Sequence, residues 1–137
     1  MTKRNSEYLI AYGAAALVFL AADMVWLGII AKELYQAQIG HLLAPQFRLG
    51  PAIAFYLMYI GGIVYFAIRP ALIDRSWRTA ILPGALLGFV AYGTYDLTNW
   101  AVMRDWPVGV TVADITWGTA LTGLASAAGA AAALRSR

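Results

Sequence analysis

The chain has 137 residues, is 61% hydrophobic and 12% charged, contains no cysteine, and carries a formal net charge of +3 with mean hydropathy +0.66. Soluble domains usually carry about a quarter charged residues, so lipid is the expected solvent for most of this surface. Disulfides, thiolate metal sites and cysteine nucleophiles are excluded, and the basic residues are scattered singly between apolar runs, which argues against a nucleic-acid stripe.

The first apolar segment runs over residues 8–30, long enough for a bilayer crossing of about 20 helical residues. It follows a basic start, "MTKRN", as a secretory leader would. The apolar run continues past Asp23 through "MVWLGII", so a retained span is expected rather than a cleaved leader. The next stretch, "AKELYQAQIGHLLAPQFRLG", is too polar to span and reads as a short interfacial amphipathic helix ended by Pro45. Further spans are expected over residues 51–68, 79–103 and 108–134, joined by the short links "RPALIDRSWR" and "RDWP". Pro83 falls in the first turn of the third, where proline is tolerated. Short links make consecutive helices antiparallel neighbours. The expected fold is therefore all-α, one integral-membrane four-helix bundle with an interfacial segment between helices 1 and 2.

Basic residues orient such a bundle, because cytoplasmic loops are enriched in Lys and Arg. Lys3, Arg4, Arg69, Arg75, Arg78, Arg135 and Arg137 fall on the side of the termini, against Lys32, Arg48 and Arg104 on the other. Both termini are expected in the cytoplasm, in a bacterial inner membrane.

Three acids fall inside the spans: Asp23, Asp96 and Asp114, each on a different helix. A charge at mid-bilayer costs about 2.5–3.5 kcal/mol on insertion scales, so such residues usually face the bundle interior. At about 1.5 Å per residue, each lies roughly 10 Å below the outer end of its helix. Each is followed by a tryptophan on an adjoining part of the same face: "DMVW", "DLTNW" and "DITW". Gly88, Tyr92, Asp96 and Asn99 form one stripe of the third helix, and Asp114, Gly118, Thr122 and Ala125 one stripe of the fourth. The second helix supplies Tyr56, Tyr59 and Gly62. Inner stripe ends rich in Gly and Ala permit close helix approach. The result is a bundle tight at the cytoplasmic end and opening to a polar, aromatic-lined cavity near the outer leaflet.

The ligand-binding or proton-relay candidates are Asp23, Asp96, Asn99, Asp114, Tyr59, Tyr95, Trp100 and Trp117, with Trp26, Tyr56, Tyr92 and His41 as accessories. Against this stands a plainer reading of each feature. Trp26, Trp77 and Trp106 read first as interfacial anchors, the tyrosines as core packing, and a single buried Asp as a structural hydrogen-bond node.

Three carboxylates gathered in a low dielectric cannot all stay ionised unaided. Some must hold a proton, pair with a cation, or accept several hydrogen bonds. Three chemistries stay open: acid–base work on an amphiphile, a hard-cation site at Asp23, Asp96 and Asp114, or binding of a lipid head group or small solute between aromatic walls. No HExxH, GxSxG, P-loop or GxGxxG motif is present, nor the Asp signature of CDP-alcohol phosphotransferases, and a lone histidine excludes intrachain bis-His haem ligation. No cofactor is expected.

The elements "DMVWLGIIAKELYQAQIGHLL", "FYLMYIGGIVYFAIRPAL", "GFVAYGTYDLTNWAV" and "WPVGVTVADITWGTALT" together resemble the bacterial membrane proteins grouped as domain of unknown function 2177. The resemblance covers nearly the whole chain. It places Asp23, Trp26, Gly40, His41, Tyr95, Asp96, Asn99, Asp114, Trp117 and Gly118 at that family's motif positions. It implies a small four-span inner-membrane protein and supplies no mechanism. The leading expectation is a protein that binds, or acts on, a membrane lipid or small amphiphile. The alternatives are a proton- or cation-coupled transport or channel component working as a homo-oligomer, and a structural subunit of a membrane complex.

Overall fold

Helix α1, Lys3–Val25, starts where the Thr2 hydroxyl accepts the Asn5 amide at 3.2 Å, satisfying one of the free amides of a first turn. The computed structural model describes residues 1–136; Arg137, counted above with the basic end, lies outside them. The described residues form helices and turns with no strand. In chain order they are α1, a wide π-helical turn at Trp26–Ile30, α2 (Lys32–Ile39) with a 3-10 turn at Gly40–Leu42, and α3 (Leu49–Ile63). A second π turn at Val64–Ile68 leads into α4 (Arg69–Asp74), a 3-10 turn at Trp77–Ala80 leads into α5 (Ile81–Val102), and α6 is Val108–Arg135.

Four continuous helical stretches are long and apolar enough to cross a membrane: Lys3–Ile30, Leu49–Asp74, Trp77–Val102 and Val108–Arg135. They match the expected spans, extended by a few residues mainly where charged side chains such as Lys3, Arg69 and Asp74 continue the helix. The interfacial segment is helical and its last turn ends at Leu42, ahead of Pro45, as its composition predicts. Large apolar side chains such as Leu17, Met24, Met58 and Val102 lie on the outside, the arrangement lipid permits and water would not.

Helix α6 is the hub, packing most extensively on α5 and next on α1. Its approach to both depends on missing side chains. A Cβ on Gly88 of α5 would fall 2.7 Å from Thr122 Oγ1, and one on Gly129 of α6 would fall 2.6 Å from Ile68 and 2.8 Å from the Ala11 carbonyl. Ala11, Ala15, Ala125, Ala130 and Ala133 complete this tight half, and Ser126 and Thr122 lie fully buried in it. The half nearer the termini is thus closed by backbone-to-backbone contact.

The other half is built differently. The buried face of α1 follows a spacing of four through Glu7, Ala11, Ala15, Phe19 and Asp23, so the small Ala11 and Ala15 give way to Phe19 and Asp23 toward its C-terminal end. Helix α3 buries only Tyr59, Ile60 and Ile63, and its tyrosines reach across to the other spans where its backbone stands off. Phe19 fills the gap, edge-on to Tyr56 (5.9 Å) and Tyr59 (5.5 Å). Beside it a cleft of about 300 Å³, lined by Phe55, Ala91, Tyr92 and Tyr95, lies between α3 and α5.

Candidate functional site

The π turn at Trp26–Ile30 turns the chain back at the end of the first span; the Ala31 amide closes it on the Trp26 carbonyl at 2.8 Å. Wide turns of this kind often sit at functional positions. Here it lays α2 over the N-terminal end of α6. Ile39 packs with Trp106 and Val110 in a second small core, bordered by Tyr35. Tyr35 lies one turn before Ile39, so its hydroxyl reaches down and donates to Asp114 Oδ1, while the Trp26 indole N–H donates to the Tyr35 oxygen at 3.0 Å. Burial, reinforced by the bond to Asp114, pushes the Tyr35 phenol above its ordinary pKa. Tyr35 is therefore a proton-bearing donor and not a phenolate.

Asp23 is held by a matching pair of donors. The Tyr56 hydroxyl donates to Oδ2 at 2.9 Å and the Trp117 indole N–H to Oδ1 at 3.1 Å. Trp26 and Trp117 stack face to face between the two arms, with centroids 4.6 Å apart and planes 6° from parallel. Each tryptophan follows an Asp by three residues, yet each serves the other helix's acid: Trp117 directly, Trp26 through Tyr35.

Asp96 follows the cleft-lining Tyr92 and Tyr95 on its own helix. It is 0% exposed, neither of its oxygens accepts a hydrogen bond from a donor outside the pair, and its carboxyl is within hydrogen-bonding reach of the Asp114 carboxyl. One shared proton satisfies that contact; with both groups ionised the pair has an unmet need for a donor. Neither ion pair among the described residues touches it. His41 Nε2 meets Asp105 Oδ2 at 3.5 Å on the exposed rim, and Arg75 Nη1 meets Glu7 Oε1 at 3.8 Å at the opposite end.

The remaining candidates sort clearly. Tyr59 shares a 2.8 Å hydrogen bond with Thr122, and Tyr92 packs its ring on Gly118, where a Cβ would overlap it. Tyr95 stands edge-on to Trp106 at 5.7 Å with Asn99 beside its hydroxyl, and it lines the cleft while remaining 55% exposed. Trp100, also about half exposed, has no ring or hydrogen-bond partner and stands outside the network. His41 is a rim residue. Among the described residues no group of three or more His, Asp or Glu side chains could hold a metal ion. Asp23, with both oxygens engaged, does not join Asp96 and Asp114 in a cation cage.

Two anchor assignments need correction. Trp106 is 8% exposed, bonded through its indole N–H to Thr111 at 2.9 Å and packed under α2; Trp26 is committed to the stack and to Tyr35. Trp77, 40% exposed with Arg78 over its ring, does sit as an interfacial anchor would. Tyr35 is the site residue that sequence reasoning passed over. The spacing of Ala31, Tyr35 and Ile39 would have marked a face of α2 turned inward.

The sequence matches the family DUF2177, described as a predicted membrane protein, over residues 8–131. The chain belongs to this family. No curated protein and no solved structure matches it. The match takes in Leu49–Asp74 and Trp77–Val102 whole, most of Lys3–Ile30 and Val108–Arg135, and every residue of the network just described, from Asp23 to Thr122.

Proposed function

We propose that this DUF2177 protein binds a lipid or other small amphiphile within the membrane, its apolar part in the cleft between α3 and α5 and its polar part at Asp96 and Asp114. The observation that carries this reading is the pair of donor-less oxygens on a fully buried Asp96, next to tyrosines that line an apolar cleft open to the bundle's flank. An orphaned carboxylate costs several kcal/mol in a low dielectric unless something supplies a donor. The cleft's volume suits a chain segment, and its walls are aromatic, as in many small-molecule sites.

The basic residues at the ends of the chain and around the link between α4 and α5 favour cytoplasmic termini, which would place this site toward the outer leaflet of a bacterial inner membrane. Relay of protons through Asp96 and Asp114 is the second reading, favoured by their adjacency. It lacks an inward path through the half closed by Gly88, Gly129 and Ala11, so it would need an oligomer to complete one. A purely structural role in a larger complex would turn the acids toward a partner, whereas all three face the interior.

The test is the profile of lipids that co-purify with the full chain, read by mass spectrometry for wild type and Asp96→Asn. Amphiphile binding predicts one lipid class enriched over the host membrane and lost in the variant. An unenriched profile that the variant leaves unchanged removes the support for this reading.

A further inference from the structure

The same pair of acids specifies what kind of polar group the site takes. Resting on the amphiphile reading above, we infer that the ligand's head is a protonated amine, received by Asp96 and Asp114.

The hydrogen-bond inventory around the pair leads there. Asp96 Oδ1 and Oδ2 accept from no donor outside the pair, and Tyr35 uses only Oδ1 of Asp114. The pair therefore keeps acceptor oxygens open, and an ammonium group carries three donors with no acceptor. The charge balance agrees. Among the described residues no Lys, Arg or His pairs with Asp96 or Asp114. Asp23 is the third acid nearby, and its own two donors, Tyr56 and Trp117, are neutral. Apart from the bond between Asp96 and Asp114 themselves, every described group that hydrogen-bonds to these acids is an uncharged Tyr or Trp, so no cation balances the pair from within. A phosphate or carboxylate head would meet only repulsion. A hydroxyl head would bring a single donor and no charge.

The walls favour the same class. Tyr92 and Tyr95 precede Asp96 by one turn and by one residue and line the cleft, and aromatic faces attract cations. Tyr95 is more than half exposed, and Tyr92, packed on Gly118, is the fixed wall.

Native mass spectrometry of the detergent-solubilised full chain, titrated separately with dodecylamine, dodecanol, dodecanoate and methylamine, tests this directly. The first three share one chain and differ only in head group; the fourth is a head with no chain. We expect dodecylamine to bind at least about tenfold more tightly than dodecanol or dodecanoate, as a charge-assisted contact requires. Asp96→Asn should bring the amine to the alcohol's affinity and leave dodecanol unchanged. Equal binding of amine and alcohol by the wild type overturns the amine assignment while keeping the amphiphile reading. Methylamine binding as tightly as dodecylamine keeps the amine assignment and overturns the amphiphile reading. Binding of none of the four overturns both and leaves a shared proton as the pair's only occupant. The wild-type comparison alone decides the matter if the variant fails to fold.

Discussion

Trp117 donates its indole hydrogen to Asp23, ninety-four residues earlier in the chain, and so ties the first span to the last at the level of the buried acids. The two "DxxW" segments thereby work as a crossed pair, with the stacked rings of Trp26 and Trp117 as the point of crossing. A double-mutant cycle isolates this contact. Trp117→Phe retains an aromatic ring for the stack and removes the donor. Its coupling to Asp23→Asn is expected at about 1 kcal/mol, the scale of interhelical hydrogen bonds in membranes, by reversible unfolding in mixed micelles. A coupling near zero would mean that the two residues are neighbours only.

Gly118 marks a place where a side chain has no room. Its missing Cβ is occupied by the Tyr92 ring, so Gly118→Ala must displace that ring or part α5 from α6. Overpacking of this kind costs about 1–3 kcal/mol. Gly13, with nothing near its Cβ position, is the matched control. Gly13→Ala is expected to be neutral or to stabilise by up to about 1 kcal/mol through helix propensity. Thermal unfolding of the two variants side by side reads the difference. If the proposed site is correct, Gly118→Ala also weakens ligand binding, because Tyr92 is its fixed wall.

Tyr35→Phe cuts the bond between α2 and Asp114 and leaves the packing of Ile39, Trp106 and Val110 in place. Hydrogen exchange over Lys32–Ile39 should accelerate by about tenfold or less, matching the roughly 1 kcal/mol of one lost hydrogen bond, with the four spans unchanged. Equal acceleration throughout would show that Tyr35 supports the whole bundle and does not simply fasten the outer helix.

Arg75, at the end of α4, adopts a left-handed backbone (φ 60°, ψ 29°), the only non-glycine residue with positive φ among those described. Its ion pair with Glu7 is long and half exposed on the arginine side, so it contributes little. Arg75→Gly should therefore be more stable than Arg75→Ala by about 1 kcal/mol, because only glycine occupies this conformation freely. Equal melting temperatures would contradict that accounting.

Much of this was legible in the sequence because lipid imposes simple rules. Twenty apolar residues make a span, and an acid within one faces inward, so the four apolar helices and the inward facing of Asp23, Asp96 and Asp114 followed directly. The stripe of Gly88, Tyr92, Asp96 and Asn99 is likewise set by helical period alone, and all four are buried or half-buried as expected. What escaped was set by tertiary geometry. The direction of α2 depends on a π turn at Trp26–Ile30, which periodicity does not encode, and so Tyr35 and Trp106 were credited to the interface. Trp100 failed for the opposite reason. It follows Asp96 by four residues where the other two tryptophans follow by three, and that step turns it away from the packed face. Thr94 and Thr98, polar neighbours of Asp96 in sequence, each bond back to a carbonyl of their own helix, at Val90 and Thr94, and face outward.

The central claim is that Asp96 receives a polar group from a molecule lodged between α3 and α5. A high-resolution structure of the full chain in a lipid nanodisc tests it most directly. The account predicts elongated density along Phe55, Tyr92 and Tyr95 whose polar end comes within hydrogen-bonding distance of Asp96. A cleft closed by its own side chains, with both Asp96 oxygens bonded to protein donors, would contradict it.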